Sequence, residues 1–350
     1  MIALKKSSDL KESNELVSVI IPLRNESGNI ESLCNSLNSQ TLSKAKFEII
    51  FIDDNSDDGT YDKLLKHKPD NSKIIRVKNG RNNQARKKKA LIEGVKNASN
   101  PIIISTDADC SFYSCWLEVM SKYFDEKTAI VAGPVDLKSE KSFFSKIQRL
   151  EFAGLILTGA GLIGINNPTI CSAANFAYRK SVFEEVDGFN DQLGFTSGDD
   201  DLLLQKIASQ TNYKIKFAYE KEAIVTTHPR TNVGDFLQQR KRWASKSLFY
   251  NNKLLVLKII LIFLFYLGLI LQLIGGLFFD SLLFITFGLS LLVKIIVEYL
   301  VLNYGSKTLY DRKILRPFIL AEFIQIPYII ISAIGGLFGN FKWKGDVLKR

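Results

Sequence analysis

Short apolar runs alternate with polar stretches through the first two-thirds of the chain. Val17–Ile21 is β-rich and closes at Pro22, and Phe47–Ile52 is a second run that breaks into acids, Asn, Ser and Gly. KIIRV (Lys73–Val77) and PIIIST (Pro101–Thr106) read as further strands, with helices predicted at about Ile30–Ser39, Thr60–His67 and Gln84–Ala98. Continuous Ile/Val runs belong to strands buried on both faces. Strand and helix in alternation predict an α/β fold around a mostly parallel sheet with right-handed crossovers.

From about Tyr250 the pattern changes. Leu254–Phe279 carries a single charge, Lys258; Leu282–Leu302 carries Lys294 and Glu298; Phe318–Phe338 carries Glu322. Each run is long enough to cross a hydrocarbon core of about 30 Å as a helix. Lys294 and Glu298 stand four apart and can pair on one helix face, which softens the cost of charge in lipid. The expected organisation is a polar arm (1–16), a soluble domain (17–250), a membrane region (251–340) with C-terminal transmembrane helices at 254–279, 282–302 and 318–338, and a basic tail (341–350). Ser142–Leu157 reads as an apolar helix, either at the membrane surface or in the core.

Composition refines this picture. The net charge of +10 over 350 residues lies partly beside the apolar spans, at Arg240, Lys241, Arg242, Lys246, Lys253, Lys307, Arg312, Lys313 and Arg316. That placement suits anionic lipid, and no zinc-finger, RRM or helix-turn-helix pattern points to nucleic acid. MIALKKSSDLKESNE lacks the apolar core of a signal peptide, so the soluble domain is expected on the cytosolic side of the cytoplasmic membrane. Cys34, Cys110, Cys115 and Cys171 show no CxxC spacing and read as free thiols. Three crossings would place Lys342, Lys344, Lys349 and Arg350 outside, against the positive-inside rule. Either one apolar stretch is re-entrant or interfacial, or the basic tail is tolerated.

In open α/β sheets ligands bind beyond the carboxyl ends of the strands. That edge is predicted to carry Pro22–Glu26, Asp53–Asp58 and Thr106–Asp109. In STDAD, Asp107 and Asp109 can each offer an oxygen to a hard divalent cation, or simply form a polar turn. SGDDDLLLQKIA (Ser197–Ala208) opens an amphipathic helix; one Asp suffices as cap, and a further carboxylate there can serve as a general base. His228, in TTHP, either completes a metal site or is structural. QQRKRW (Gln238–Trp243) reads both as a membrane flank and as part of an active site.

The succession VSVIIPLRNE, FIDDNSDDGT, KKKALIEGVKNASNPIIISTDAD, AANFAYRKSVFEEVDGF, SGDDDL and QRKRW resembles the family 2 glycosyltransferases over about Val17–Trp243. The resemblance implies a GT-A catalytic domain, a Rossmann-like nucleotide-sugar fold, in membrane-bound form. It implies inverting transfer from a nucleotide-sugar donor, expected to be a UDP-sugar, with Mg or Mn. Pro22, Asn25 and Glu26 would border the nucleotide, Asp54 with Asp53 would hold base or ribose, and Lys89 would lie near the diphosphate. Asp107 would lie by the sugar nucleotide and Asp109 on the metal; Asp200 would be the catalytic base, with Asp199 beside it. Asn175 and Arg179 would approach donor sugar or acceptor.

Gln239, Arg242 and Trp243 match the QxxRW signature of cellulose, chitin and hyaluronan synthases, implying a place near acceptor and diphosphate. Those synthases usually show Glu-Asp or Thr-Glu-Asp where this chain has SGDDD. QxxRW also occurs in enzymes that add one sugar only. The acceptor is therefore a growing glycan or a lipid-linked one such as a glycolipid or polyprenyl phosphate. The competing readings are an inactive membrane scaffold and a nucleotidyltransferase; a partner subunit is not specified.

Overall fold

The computed structural model describes residues 14–77, 85–194 and 197–338, together with the backbone of 341–343 and 346–348. Most of the polar arm (1–13), Gln84, and Lys344, Lys349, Arg350 of the tail lie outside the described residues. Two compact units divide the chain: Met1–Lys138 with Leu155–His228, and Ser139–Gly154 with Pro229–Arg350.

The first unit runs β1 (Val17–Leu23), α1 (Ile30–Asn38), β2 (Phe47–Asp53), α2 (Thr60–His67), β3 (Ser72–Arg76), α3 (Arg86–Lys96), β4 (Ile102–Ser105), β5 (Ser111–Phe112), α4 (Trp116–Lys122), β6 (Thr128–Ala132) and β7 (Val135–Leu137). After helix α5 (Phe143–Gly164), which begins in the second unit, come β8 (Phe176–Arg179), α6 (Lys180–Glu185), α7 (Asp201–Gln210), β9 (Lys214–Phe217) and β10 (Val225–Thr227). Seven strands form one sheet in the order β3-β2-β1-β4-β8-β6-β9. β3, β2, β1 and β4 are parallel, as their continuous apolar runs predict, whereas β8 is antiparallel to both β4 and β6.

Strand β1 extends past Pro22, where the sequence suggested it would stop. The β4 ladder ends at Ile20↔Ser105, so Pro22 pairs only with Ile52 of β2 and its missing N–H breaks no bond to β4. The core on one face gathers Ile20, Ile50, Ile103 and Ile130 with Leu91, Val95, Leu203 and Ile207. Each such side chain contributes about 1.5–3 kcal/mol by leaving water. Helix α3 lies so close to β1 that a Cβ at Gly94 would stand 2.5 Å from Ile20 Cγ2.

The second unit holds the first part of α5, then α8 (Val233–Ala244), α9 (Lys253–Phe278), α10 (Leu282–Thr308) and α11 (Phe318–Phe338), followed by β11 (Phe341–Trp343) and β12 (Asp346–Leu348). Helices α9, α10 and α11, of 26, 27 and 21 residues, are each long and apolar enough to cross a membrane. Helix α8, which carries QxxRW, groups with these apolar helices, whereas the sequence reading set its boundary near residue 250.

The predicted Lys294–Glu298 pair forms at 3.1 Å, but it is half of the arrangement. Lys294 also meets Glu322 of α11 and, at 2.7 Å, Gln325 Oε1, while the Tyr266 hydroxyl of α9 donates to Glu298 at 3.2 Å. A lysine inside lipid is tolerated only with partners of this kind. Helix α11 also lies along α8. Phe236 meets Tyr328 edge-on at 5.3 Å, and a Cβ on Gly336 would come within 2.8 Å of the Lys241 carbonyl oxygen and 2.9 Å of Ala244 Cβ. Strand β11 then lies beside α8.

Candidate active site

The reversal of β8 decides which parts of the sequence meet. Because β8 is antiparallel to β4, Phe176 stands opposite Ser105 and Arg179 opposite Ile102. The segment leading into β8 therefore reaches the carboxyl edge where Thr106–Asp109 emerge. The Thr106 hydroxyl donates to the Ala174 carbonyl at 2.8 Å, and the Ala173 N–H donates to Asp200 Oδ2 at 3.0 Å.

At this edge Lys87 Nζ lies 2.7 Å from Asp107 Oδ1 and 2.8 Å from Asp199 Oδ2. Burial by itself would lower the Lys87 pKa, but the two carboxylates outweigh it and hold it above the ordinary lysine value, so the residue stays cationic. Lys87, and not the expected Lys89, meets these two aspartates. Residues two apart on a helix face roughly opposite directions, so both cannot point to the sheet edge. The signal for Lys87 was in the sequence: the α3 positions Leu91, Gly94 and Val95 form an inward stripe, and one turn back from Leu91 is Lys87.

Asp200, expected as the base, accepts two backbone N–H bonds. Its Oδ1 accepts from the Asp201 N–H at 2.8 Å as the cap of α7, while Oδ2 takes the Ala173 N–H. Asp199, half-turned into the Lys87 cluster, is buried at 9% exposure. Gly198 makes this turn with φ +88, a conformation that L side chains rarely adopt.

The β1 and β2 loops are laced together. Asn25, at φ +52, accepts from the Asp57 N–H through its side chain and donates its own N–H to Ser56 Oγ; the Glu26 N–H donates to Thr60 Oγ1 at 2.8 Å. Asp58 accepts from Thr60 and from the Ser27 N–H, and despite partial burial these bonds hold its carboxyl down to about 2. Asp53 is fully buried, accepting from the Ser56 N–H and pairing with Arg76, and Asp54 pairs with Arg86 at 2.8 Å. Pro22, Asn25, Glu26, Asp53 and Asp54 thus share the sheet edge, and the two aspartates carry intrachain partners there.

Two expected site residues, Arg179 and Asn175, are held by intrachain partners. Arg179 sits at the opposite end of β4, bonded to Glu15, the Asp125 carbonyl and the Thr128 carbonyl. Asn175 has no exposed surface: it accepts from Trp116 Nε1 at 3.1 Å and donates to the Pro134 and Ala223 carbonyls at 2.8 and 2.7 Å. Gly133 makes room for it, since a Cβ there would stand 2.1 Å from Asn175 Nδ2. Asn175→Ala strands the Trp116 Nε1–H and the Ala223 carbonyl, while the Pro134 carbonyl keeps the Val225 N–H, and is expected to cost about 2–4 kcal/mol, read as a lowered thermal midpoint of the purified protein.

Asp107 and Asp109 are half-buried, two apart, at the carboxyl edge. Among the described residues no group of three His, Cys, Asp or Glu is placed to hold a metal ion, and His228 is exposed at the end of β10. The pair nonetheless fits a hard cation that takes one or two carboxylates and completes its shell with phosphate and water. The Lys87 ammonium already seated against Asp107 shows that this spot is attractive to positive charge. Cys110 beside them is kept protonated: burial first, then Asp109 and Asp107, raise its pKa well above the usual thiol value.

In the second unit, α8 opens with Asn232 capping the Asp235 N–H. Arg240, expected among the lipid-facing charges, is buried, as is Lys246, whereas Gln239, Arg242 and Trp243 are half-buried.

Comparison with known proteins agrees with this geometry. A family model described as glycosyl transferase family 2 matches residues 18–187. The glycosyltransferase AglE of Haloferax volcanii is 28% identical over 229 residues, covering 65% of this chain and 71% of that protein. The poly-β-1,6-N-acetyl-D-glucosamine synthase of Staphylococcus aureus is 29% identical over 252 residues, covering 69% of this chain but only 57% of that protein. Among solved structures, the mannosyltransferase PcManGT of Pyrobaculum calidifontis, in complex with GDP-Man and Mn2+, superposes with a TM-score of 0.59 at 17% identity, over 94% of this chain and 90% of that one. The seven-stranded sheet and its acidic carboxyl edge have the GT-A fold of a glycosyltransferase, and residues 18–187 are similar in sequence to glycosyl transferase family 2.

Proposed function

We propose that the chain is a membrane-bound inverting glycosyltransferase that moves a sugar from a nucleoside diphosphate donor to a hydroxyl of a glycan or lipid-linked acceptor. The observation that carries this reading is the Asp107–Lys87–Asp199 cluster at the carboxyl edge of a GT-A sheet. Asp199, in the Lys87 cluster, takes the role of base, with Asp200 beside it as the cap of α7 and the partner of the Ala173 N–H. In one displacement the acceptor oxygen bonds to the anomeric carbon as the carbon–diphosphate bond breaks, and the hydroxyl proton passes to Asp199. The sugar develops oxocarbenium character on the way.

Lys87, cationic and already bridging two acids, supports contact with the diphosphate in place of Lys89. Pro22, Asn25 and Glu26 would border the nucleotide, with Asp53 and Asp54 shaping the base and ribose pocket. Asp109 and Asp107 would hold Mg or Mn, and such an ion neutralises charge on a diphosphate leaving group. Gln239, Arg242 and Trp243 would meet acceptor or diphosphate, since an Arg fork suits oxyanions and an indole suits a sugar face. The Staphylococcus relative favours polymer building; addition of one sugar to a polyprenyl phosphate or glycolipid is the second reading.

Membranes containing the protein, given UDP-, GDP- and dTDP-sugars, are expected to release nucleoside diphosphate with one donor and to stop when divalent ions are chelated. Release that continues unchanged in chelator would overturn the metal assignment. No release with any donor in the presence of lipid and glycan acceptors would overturn the transferase reading.

The basic tail supports a topology of two full crossings, α9 and α10, with α11 re-entrant, packed against them through Glu322, Ile326 and Ile330 and against α8 through Tyr328. The basic tail then stays on the cytosolic side, as the positive-inside rule requires. A cysteine appended after Arg350 is expected to resist an impermeant maleimide in intact cells and to react once they are opened. Labelling of intact cells would restore the third crossing.

A further inference from the structure

Arg240 occupies the second position of the QxxRW segment, one that the motif leaves unspecified. Its side chain is 7% exposed and ion-paired with Glu151 of α5, itself 10% exposed. The guanidinium lies over two rings of its own helix, 4.4 Å from the Phe236 centroid and 4.3 Å from that of Trp243. Its Nη1 donates to Gln239 Oε1 at 2.9 Å. Phe152, next to Glu151, also meets Trp243, at 6.0 Å between ring centroids. One buried cation therefore touches two of the three signature side chains and is anchored by a different helix.

We propose that Arg240 and Glu151 are positioning residues that set the orientation of Trp243 and Gln239. The inference rests on the transferase reading for its catalytic consequence, but not for its geometric one. A surface charge beside a membrane would need no counter-ion, and a merely structural tether would need no ring contact. Here a planar group is required. Lysine at the same place keeps the charge and can still reach Glu151, but it has no flat face to lay on the indole and no fork to hold Gln239 as well. Glutamine in place of Glu151 keeps the shape but leaves the buried guanidinium without its anchor.

The test uses the full chain in detergent, labelled with fluorotryptophan. The protein has three tryptophans, so three fluorine resonances are expected, with that of Trp243 assigned by Trp243→Phe. In Arg240→Lys and Glu151→Gln the Trp243 resonance should shift while that of Trp116, in the first unit, stays in place. With the donor found by release assay, kcat should fall about 10- to 100-fold and donor KM should stay within about twofold, as expected for misplacement of correctly bound groups. An Arg240→Lys protein with an unmoved Trp243 resonance and wild-type kcat would overturn the proposal, because a simple tether is rescued by the conserved charge. If the wild-type protein transfers nothing, the transferase reading fails, and the fluorine spectra still decide whether the pair controls Trp243.

Discussion

Asp199→Asn is expected to lower sugar transfer by about 10²–10⁴-fold, the usual contribution of a general base. The amide keeps the size of the side chain but cannot accept the acceptor's proton, and it also removes one of the two negative charges that hold Lys87. Asp200→Asn should behave differently. Asparagine caps helices as well as aspartate does, so the bond from the Asp201 N–H survives, while the bridge to the Ala173 N–H is lost. Its expected cost is about 0.5–2 kcal/mol of stability, the range for a damaged cap, with a smaller loss of turnover. Measuring release and thermal midpoint for both variants separates the roles. If Asp200→Asn proves the more damaging to kcat at unchanged stability, the base is Asp200 and its observed bonds are those of a resting state.

The second large effect is expected in the membrane unit. Lys294 is 3% exposed by side chain, as is Glu322, with Glu298 at 31% completing the group. Lys294→Met leaves the two acids facing each other without a cation and should destabilise the unit by about 3–5 kcal/mol, the usual result of breaking a buried pair. Lys294→Met combined with Glu322→Leu removes both charges and should recover most of that loss, because a buried pair replaced whole by apolar groups is often neutral. Thermal unfolding in detergent would read both. A single variant as stable as the wild type would show that the cluster contributes nothing to holding α9, α10 and α11 together.

Much of the fold was legible because it depends on local pattern. Ile/Val runs closed by Pro or by acids marked β1, β2 and β4, and a parallel sheet followed from their alternation with helices. The apolar runs after Tyr250 marked three long helices by length alone. Site residues were legible only where a strand end announced them. Asp107 and Asp109 follow β4 directly, so the edge rule located them, whereas the same rule says nothing of a strand that runs backwards, such as the one that ends at Arg179. The reversal of β8 carries Asn175 to the carboxyl edge and Arg179 away from it.

Among three adjacent lysines, composition offers no choice. The helix phase does: Lys87 faces Asp107 and Asp199, Lys88 is buried against the Gln192 carbonyl, and Lys89 belongs to neither. Three adjacent aspartates posed the same problem, and the turn at Gly198 resolved it by sending Asp199 to Lys87 and Asp200 to the helix cap. Arg240 looked like one more basic residue beside a membrane until Glu151, 89 positions earlier, was found against it.

By itself the sequence determined the α/β class, the acidic sheet edge, the three long apolar helices and the resemblance to a transferase family, because these rest on periodicity and on residues close together in the chain. Only the tertiary structure decided which lysine meets the acids, which aspartate is free of the helix cap, and that Glu322 joins Lys294. Those outcomes are set by strand direction, helix phase and contacts between distant segments, none of which a local pattern contains.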